Sequence, residues 1–320
     1  MPRIGNASGG FAVELPRPID PAASLEMFRR SGDDLLDRWD GATFLRTILA
    51  ERRPIAFATT FENRGGRTWA RVVLERPQDR GAVEPAARAM FAAPPDEYAD
   101  LRRRDRLVGA LAAAYPGVRP ARQANLFGAL IRCVTTQQVN LRWAATCRRR
   151  LAETFGRAHR VAGAIVYSLD PERIAELDPG EIRALKLTTR KAEYIVNIAR
   201  VIASGELTMD MLAASADDEV IARLTAIRGV GRWTAEWILA RALGRPRVVA
   251  GDLGVRKAVG IGYLGGARPS EDETRRLTAH WGAAAGVAQA LMLHALAEKT
   301  LASLAPAADA RSRRRASAAF

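Results

Sequence analysis

Residues 224–257 read LTAIRGVGRWTAEWILARALGRPRVVAGDLGVRK. Apolar residues recur at helical spacing on both sides of Gly229-Val230-Gly231, which predicts two helices joined by a tight hairpin. The two glycines allow a sharp turn and the close approach of a neighbouring group. Because the second helix begins directly after them, its unpaired backbone N–H groups favour a phosphate oxygen. The alternative is a helix–turn–helix corner that binds nothing.

Charged residues beside this turn extend the pattern. Arg228 and Arg232 flank the hairpin, and both favour an anionic ligand. Downstream, Asp252 directly precedes a helix pattern over residues 253–261, where a carboxylate is suited to cap the helix. A cap position also holds a carboxylate in one direction, so capping and catalysis are compatible.

The composition points to a polyanionic partner. The chain has 320 residues, 48% of them hydrophobic, and a formal net charge of +14, which suits two domains and a nucleic-acid ligand. A ribosome or a membrane surface fits that charge equally well. No apolar run is long enough to predict a membrane span, and the N-terminus lacks the apolar core of a signal peptide. The expected location is the cytoplasm.

Changes in sequence pattern predict two domains and a tail. Residues 1–95 contain several short strand patterns, of which residues 69–74 alternate between apolar and polar, and a helical pattern at residues 83–91; together these predict a small α+β domain with an antiparallel sheet. Residues 96–304 follow a linker and have almost wholly helical patterns, which predicts an all-α domain. Residues 305–320 carry four arginines and are expected to be a disordered basic tail. The fold class is therefore α+β.

Cysteine and histidine counts argue against a metal centre. The chain has Cys133, Cys147 and three histidines, whereas an all-cysteine iron–sulfur cluster needs four cysteines and structural zinc sites need closely spaced Cys and His. No metal, iron–sulfur cluster or organic cofactor is predicted. Both thiols are expected to be buried.

A basic region lies inside the helical part. Thirteen arginines and only two acidic residues fall between residues 101 and 160, a density that predicts several phosphate contacts. The run Arg148-Arg149-Arg150 has the alternative role of solvating a helix face.

The hairpin, followed by Asp252 at 19 residues after Trp233, resembles the helix–hairpin–helix superfamily of DNA base-excision glycosylases. The resemblance is greatest to the DNA-3-methyladenine glycosylase II family, and it covers about residues 95–300 well and the first 95 faintly. It implies a monomer that extrudes a damaged base from double-stranded DNA. The hairpin residues that it implies for DNA contact are Arg228, Gly229, Val230, Gly231, Arg232 and Thr234. A monovalent cation bound by hairpin carbonyls is also consistent with it.

The resemblance also implies roles at the reaction site. Asp252 becomes the catalytic carboxylate, and Gln137 or Gln138 becomes the wedge that fills the space of the extruded nucleotide. The matching wedge position is Gln138, although some family members have an apolar residue there. The alternative at this turn is helix capping by Thr136 or Asn140.

The residue at position 233 distinguishes two reaction types, hydrolysis and Schiff-base formation. Bifunctional glycosylase/lyases of the superfamily carry a lysine at its position, which forms a Schiff base with the sugar. Trp233 has no nucleophile, so the resemblance implies a monofunctional hydrolase that leaves an abasic site. Trp233 and Trp237 lie four residues apart on one helix face and are suited to stack on an alkylated purine such as 3-methyladenine or 7-methylguanine. Their alternative role is core packing.

Two charged residues near these positions are expected to have no part in the chemistry. Helical phase places Glu236 on the surface, and Lys191 is interpreted as an ordinary surface lysine. Two other functions remain open: a glycosylase for another damaged base, deaminated or oxidised, and a non-catalytic helix–hairpin–helix protein that only binds DNA.

Overall fold

The computed structural model describes residues 10–50 and 53–306. The predicted basic tail, apart from residues 305 and 306, lies outside the described residues.

A five-stranded antiparallel sheet forms the N-terminal part, with the strand order β1-β5-β4-β3-β2. Its strands are β1 (Phe11–Glu14), β2 (Arg38–Trp39), β3 (Thr43–Ala50), β4 (Arg53–Arg64) and β5 (Arg67–Leu74). Gly65 and Gly66, both with positive φ, form the two-residue turn between β4 and β5, as such hairpin turns require. Helices α1 (Pro21–Ser31) and α2 (Arg80–Arg88) contribute side chains to the core of this sheet.

The rest of the described chain is mainly helical. In order, its helices are α3 (Tyr98–Arg104), α4 (Arg106–Ala114), α5 (Leu126–Thr136), α6 (Leu141–Phe155), α7 (Pro171–Ala175), α8 (Pro179–Ala184), α9 (Thr189–Ala203), α10 (Met209–Ala214), α11 (Asp217–Thr225), α12 (Arg232–Arg241), α13 (Leu253–Tyr263), α14 (Glu271–Thr278), α15 (Ala285–Ala297) and α16 (Leu301–Leu304). Short 3-10 helices span Pro77–Asp79 and Ala279–Ala284. Asn140 and Thr188 cap α6 and α9 through their side chains.

One element departs from the expected all-helical pattern after residue 96. Strands β6 (Arg157–Val161) and β7 (Ala164–Ser168) form an antiparallel hairpin. Its turn residues, Ala162 and Gly163, both have positive φ, the conformation that two-residue hairpin turns demand. The hairpin packs against the N-terminal sheet, where His159 is hydrogen-bonded to Glu75. The sheet and the helices therefore share a packed boundary.

Two helical cores meet near the hairpin of the opening stretch. One core combines α5, α6, α9, α11 and α12, and the other combines α4, α13 and α15. Because α12 belongs to the first core and α13 to the second, Trp233 and Asp252 come together where the two cores join.

A buried ion cluster ties the helices to the loop between α1 and β2. Asp34 Oδ2 accepts hydrogen bonds from Arg148 Nε at 2.7 Å and lies 2.8 Å from Arg132 Nη2. Arg148 is 2% exposed, which excludes its alternative role in solvating a helix face and leaves it unavailable to a phosphate. Buried charges of this kind require a partner, and that partner comes from a segment more than a hundred residues away.

Candidate functional site

The hairpin between α11 and α12 has the predicted tight turn. Gly229 has φ +93°, and a Cβ added there would lie 2.2 Å from Cγ of Tyr194. A side chain at this position is therefore excluded both by backbone conformation and by the close approach of α9. Arg228 and Arg232 are exposed, and Arg228 is ion-paired with Glu193 at 3.0 Å.

Two of the six predicted hairpin contacts have side chains that face inward. Val230 is 4% exposed and packs in the helical core, and Thr234 is 1% exposed. Between them, Gly231 and Arg232 are exposed. Their side chains are unavailable to DNA, so only their backbone groups can serve the predicted contact.

Asp252 caps α13 and touches Trp233. Its Oδ1 accepts a hydrogen bond from the Val255 backbone N–H at 3.0 Å, and its Oδ2 accepts one from Trp233 Nε1 at 3.4 Å. The cap fixes the carboxylate, and the indole holds its second oxygen. Asp252 remains partly exposed, so the fixed carboxylate is accessible to a ligand.

The two tryptophans of α12 differ in their surroundings. Trp233 is half-buried and bonded to Asp252. Trp237 is also half-buried, but it packs against the core formed by α5, α9 and α12. The arrangement leaves Trp233 as the aromatic face nearest the carboxylate, with Trp237 one turn further along the same helix.

Glu236 is not on the surface, contrary to the prediction. It is 1% exposed, and its Oε1 accepts hydrogen bonds from Arg232 and Arg275, each at 3.2 Å. Arg275, on α14, contacts the side of α12 that local periodicity assigned to solvent. Glu236 therefore orients Arg232, one of the exposed hairpin cations.

The predicted wedge residues lie in the turn after α5 and behave differently. Gln137 donates from Nε2 to the Gly229 carbonyl oxygen at 3.0 Å, so it joins this turn to the hairpin. Gln138 is exposed and has φ +55°, in the left-handed region that few non-glycine residues adopt. Gln138 is thus the glutamine that projects from the turn.

Lys191 supports this turn and is not an ordinary surface lysine. Its Nζ donates to the carbonyl oxygens of Thr135 at 2.9 Å and of Gln137 at 2.7 Å. Burial lowers the pKa of Lys191, although a nearby thiol opposes this in part. The two carbonyls belong to the C-terminal end of α5, where unpaired oxygens favour a cation. Sequence analysis missed this role because both partners lie more than 50 residues away.

The basic region divides into buried and exposed arginines. Arg119 is buried and Arg148 is in the ion cluster. The exposed ones are Arg102, Arg103, Arg104, Arg106, Arg142, Arg149, Arg157 and Arg160. The remaining three, Arg122, Arg132 and Arg150, are half-buried, so the exposed group is the one most available to a polyanion.

Few side chains in the described ranges are suited to bind a metal ion or another cofactor. No cluster of three or more His, Cys, Asp and Glu side chains in those ranges is arranged to bind a metal ion. Cys133 and Cys147 are buried free thiols, and burial raises the pKa of both. None of the helices in residues 10–50 and 53–306 combines the length and hydropathy of a membrane span.

The family model of the HhH-GPD superfamily base excision DNA repair proteins matches residues 131–284. This range contains the turn after α5, the hairpin, Trp233 and Asp252.

Two relatives in Bacillus subtilis (strain 168) have different extents of similarity. Its DNA-3-methyladenine glycosylase is 27% identical over 284 residues, covering 85% of this chain and 92% of the relative. Its protein YfjP is 33% identical over 158 residues, covering 49% of this chain and 54% of YfjP. The chain thus spans nearly all of the first relative but about half the length of the second.

Solved structures share the fold. The 3-methyladenine DNA-glycosylase from Archaeoglobus fulgidus superposes with a TM-score of 0.77 at 24% identity, over 89% of this chain and 98% of that one. A Schizosaccharomyces pombe 3-methyladenine DNA glycosylase in complex with abasic DNA superposes with a TM-score of 0.52 at 25% identity, over 62% of this chain and 95% of that one. Residues 131–284 therefore match the base-excision DNA repair proteins of the helix–hairpin–helix superfamily, and the chain as a whole resembles DNA-3-methyladenine glycosylases.

Proposed function

We propose that this protein is a monofunctional DNA glycosylase that excises alkylated purines of the 3-methyladenine and 7-methylguanine type. The observation that carries the proposal is the contact between Trp233 Nε1 and Asp252 Oδ2 at 3.4 Å, directly behind a hairpin suited to bind phosphate. The pair places an aromatic face beside a fixed carboxylate, as excision of a flipped base requires.

Asp252 performs the chemistry in this proposal. As the N-glycosidic bond breaks, the sugar takes on oxocarbenium character, and a carboxylate near the anomeric carbon stabilises that charge. The same group orients a water molecule and accepts its proton. Because Trp233 supplies no amine and Lys191 Nζ is bonded to two carbonyls, neither forms a Schiff base. The product is an abasic site in an unbroken strand.

The DNA-binding part of the proposal uses the exposed groups around this pair. Gly231 and the N-terminus of α12, with Arg228 and Arg232 beside them, bind a phosphate. Gln138 enters the duplex in place of the extruded nucleotide, and the exposed arginines contact the backbone. A monovalent cation at the hairpin carbonyls completes this contact, and no metal cluster or organic cofactor takes part. The protein acts on damaged double-stranded DNA as a monomer in the cytoplasm.

The test compares wild type with Asp252→Asn on methylated duplex DNA, with released bases and strand breaks measured separately. Asparagine keeps the cap of α13 but removes the charge, so base release falls by at least about 100-fold while DNA binding persists. Asp170→Asn is the control, because Asp170 is also a helix cap: it caps α7 and accepts a hydrogen bond from the Glu172 backbone N–H.

The outcomes separate the alternatives. Base release without breaks, lost in Asp252→Asn and kept in Asp170→Asn, supports the proposal. Release only from DNA containing a deaminated or oxidised base identifies a glycosylase for another lesion. DNA binding with no base release from any of these substrates identifies a protein that only binds. Strand breaks without added alkali contradict the monofunctional mechanism.

A further inference from the structure

The buried carboxylate of Glu236 joins two helices at one oxygen atom. Its Oε1 accepts a hydrogen bond from Arg232 Nε and another from Arg275 Nη2, each at 3.2 Å. Arg232 is the first residue of α12, directly after the hairpin, whereas Arg275 belongs to α14. The two bonding nitrogens lie no more than twice that distance apart, so two guanidinium groups of like charge are held next to each other.

Stability alone does not account for this arrangement. Glu236 is 1% exposed, and within the described ranges its Oε2 is enclosed without a hydrogen-bond partner. A buried carboxylate oxygen that lacks a partner lowers stability. Neither arginine depends on Glu236 for solvation, because the Arg232 side chain is 56% exposed and the Arg275 side chain is 31% exposed. A buried charge that stabilises little but fixes two cations indicates a ligand for those cations.

Hydrogen-bond donors beside this pair are open to an anion. Arg232 uses only Nε in its bond to the carboxylate, and no residue of the described chain bonds to its two terminal nitrogens. The first turn of α12 begins at Gly231 without a side-chain cap, so its backbone N–H groups are also open. Arg275 bonds in addition to Glu271 and Asp272, whose side chains are 51% and 78% exposed. Such exposed pairs contribute less than about 1 kcal/mol, so they yield to a phosphate.

We propose that Glu236 is a positioning residue that holds Arg232 and Arg275 together as one phosphate-binding pair, which extends the hairpin site onto α14. This inference rests on the proposed function, since the ligand is the DNA backbone. Arginine binds phosphate through planar, charge-assisted hydrogen bonds, and a guanidinium already fixed by a carboxylate loses less freedom when it binds. The pair spans both helical cores, because α12 belongs to the first and α14 packs on α13 of the second.

Positioning and simple electrostatics predict opposite results at Glu236. If only charge matters, removing a negative charge beside a phosphate site should tighten DNA binding. If Glu236 orients the two arginines, its removal should weaken DNA binding although the protein becomes more positive. Glutamine keeps a side-chain oxygen that accepts hydrogen bonds, whereas methionine removes it. Glu236→Gln should therefore weaken binding less than Glu236→Met.

The test measures the affinity for a fluorescent duplex that contains a tetrahydrofuran abasic-site analogue, over a series of salt concentrations. Arg275→Met and Glu236→Met are each expected to weaken binding by about 10-fold. Each should also reduce the slope of log affinity against log salt concentration by about 1, the loss of one phosphate contact. Arg276→Met is the matched control, because Arg276 is the next residue of α14, is exposed and has the same charge. Thermal unfolding checks that every variant is folded.

The salt series separates the possible roles of Glu236. Weaker binding with a smaller slope in Arg275→Met and Glu236→Met, and an intermediate effect in Glu236→Gln, supports the inference. Tighter binding by Glu236→Met overturns it, as do equal effects of Arg275→Met and Arg276→Met. Lower thermal stability of Glu236→Met with the affinity and slope of wild type indicates a purely structural role and also overturns it.

Base release from methylated DNA by the wild type, measured in parallel, separates this inference from the proposed function. Wild type that binds the duplex but releases no base contradicts the proposed glycosylase, while the salt slopes still decide whether the arginine pair binds phosphate. Wild type that does not bind the duplex overturns both.

Discussion

Replacing Asp34 by asparagine should destabilise the protein far more than the same change at Asp33. Burial raises the pKa of Asp34, but the charges of Arg132 and Arg148 outweigh it and hold the pKa at about 2, against an ordinary 3.8. That difference corresponds to about 2 kcal/mol of folding free energy. The substitution also leaves Arg148 buried without its charge partner, and breaking a buried pair costs about 3–5 kcal/mol in total. We therefore expect Asp34→Asn to lower the free energy of unfolding by about 3–5 kcal/mol.

Asparagine is the appropriate replacement because it keeps Oδ1, which accepts the backbone N–H groups of Leu36 and Asp37. Asp33→Asn is the matched control: its carboxylate pairs with Arg38 at 2.7 Å, but the side chain is 40% exposed, so the expected cost is less than about 1 kcal/mol. Urea unfolding at neutral pH measures both.

The pH dependence of the unfolding free energy provides a second test of the role of Asp34. Because the folded pKa of Asp34 is depressed, its contribution is fully present above the unfolded value of 3.8 and is lost as pH falls toward 2. The difference in unfolding free energy between wild type and Asp34→Asn should therefore be constant above about pH 5 and shrink below it. Equal destabilisation by Asp34→Asn and Asp33→Asn, or a difference that does not change with pH, would refute the reasoning.

Two further substitutions test the hairpin and the turn that it contacts. Gly229→Ala should lower the free energy of unfolding by at least about 2 kcal/mol and weaken DNA binding, because its Cβ would lie 2.2 Å from Tyr194 Cγ at φ +93°. Gly231→Ala is the control: its Cβ meets nothing within 4 Å, so the expected loss is less than about 1 kcal/mol. Equal losses in urea unfolding would contradict this packing. Lys191→Met removes the hydrogen bonds to Thr135 and Gln137 and should cost about 1–3 kcal/mol and lower affinity for duplex DNA, with partial rescue by Lys191→Arg. Lys299→Met is its exposed control, and affinity that is unchanged in Lys191→Met would rule out support of the turn.

Local signals in the sequence were sufficient for much of the fold. Strands β1 and β5 alternate between buried and more exposed residues, whereas β3 and β4 contain continuous buried runs. Asn140, Thr188 and Asp252 cap helices at the predicted places. The β6–β7 hairpin also had a local signal, the Ala162-Gly163 turn between alternating residues, that was not recognised. These features depend on neighbours within a few residues, so the local spacing of residue types is enough to predict them.

The misassigned residues share a different cause. Glu236, Arg148 and Lys191 all bind groups from segments distant in sequence. From local sequence alone, a charged residue in a helix is predicted to lie on the surface. Burial becomes possible only when another segment supplies an oppositely charged or hydrogen-bonding partner, and local sequence does not show that segment. The family resemblance predicted both members of the partly exposed Trp233–Asp252 pair, but the hydrogen bond between them follows only from the structure.

The bonds among Gln137, Gly229 and Lys191 have a mechanical consequence for how the protein searches DNA. Gln137 Nε2 holds the hairpin carbonyl, and Lys191 Nζ holds Gln137 from the other side. These bonds join the hairpin, the proposed phosphate site, to the turn from which Gln138 projects. In the proposed complex the DNA must do the bending, so sites where stacking is already weakened yield first. Under the proposed function, a link that holds its length would favour base pairs that are easily deformed, at a step before the base is recognised in the pocket.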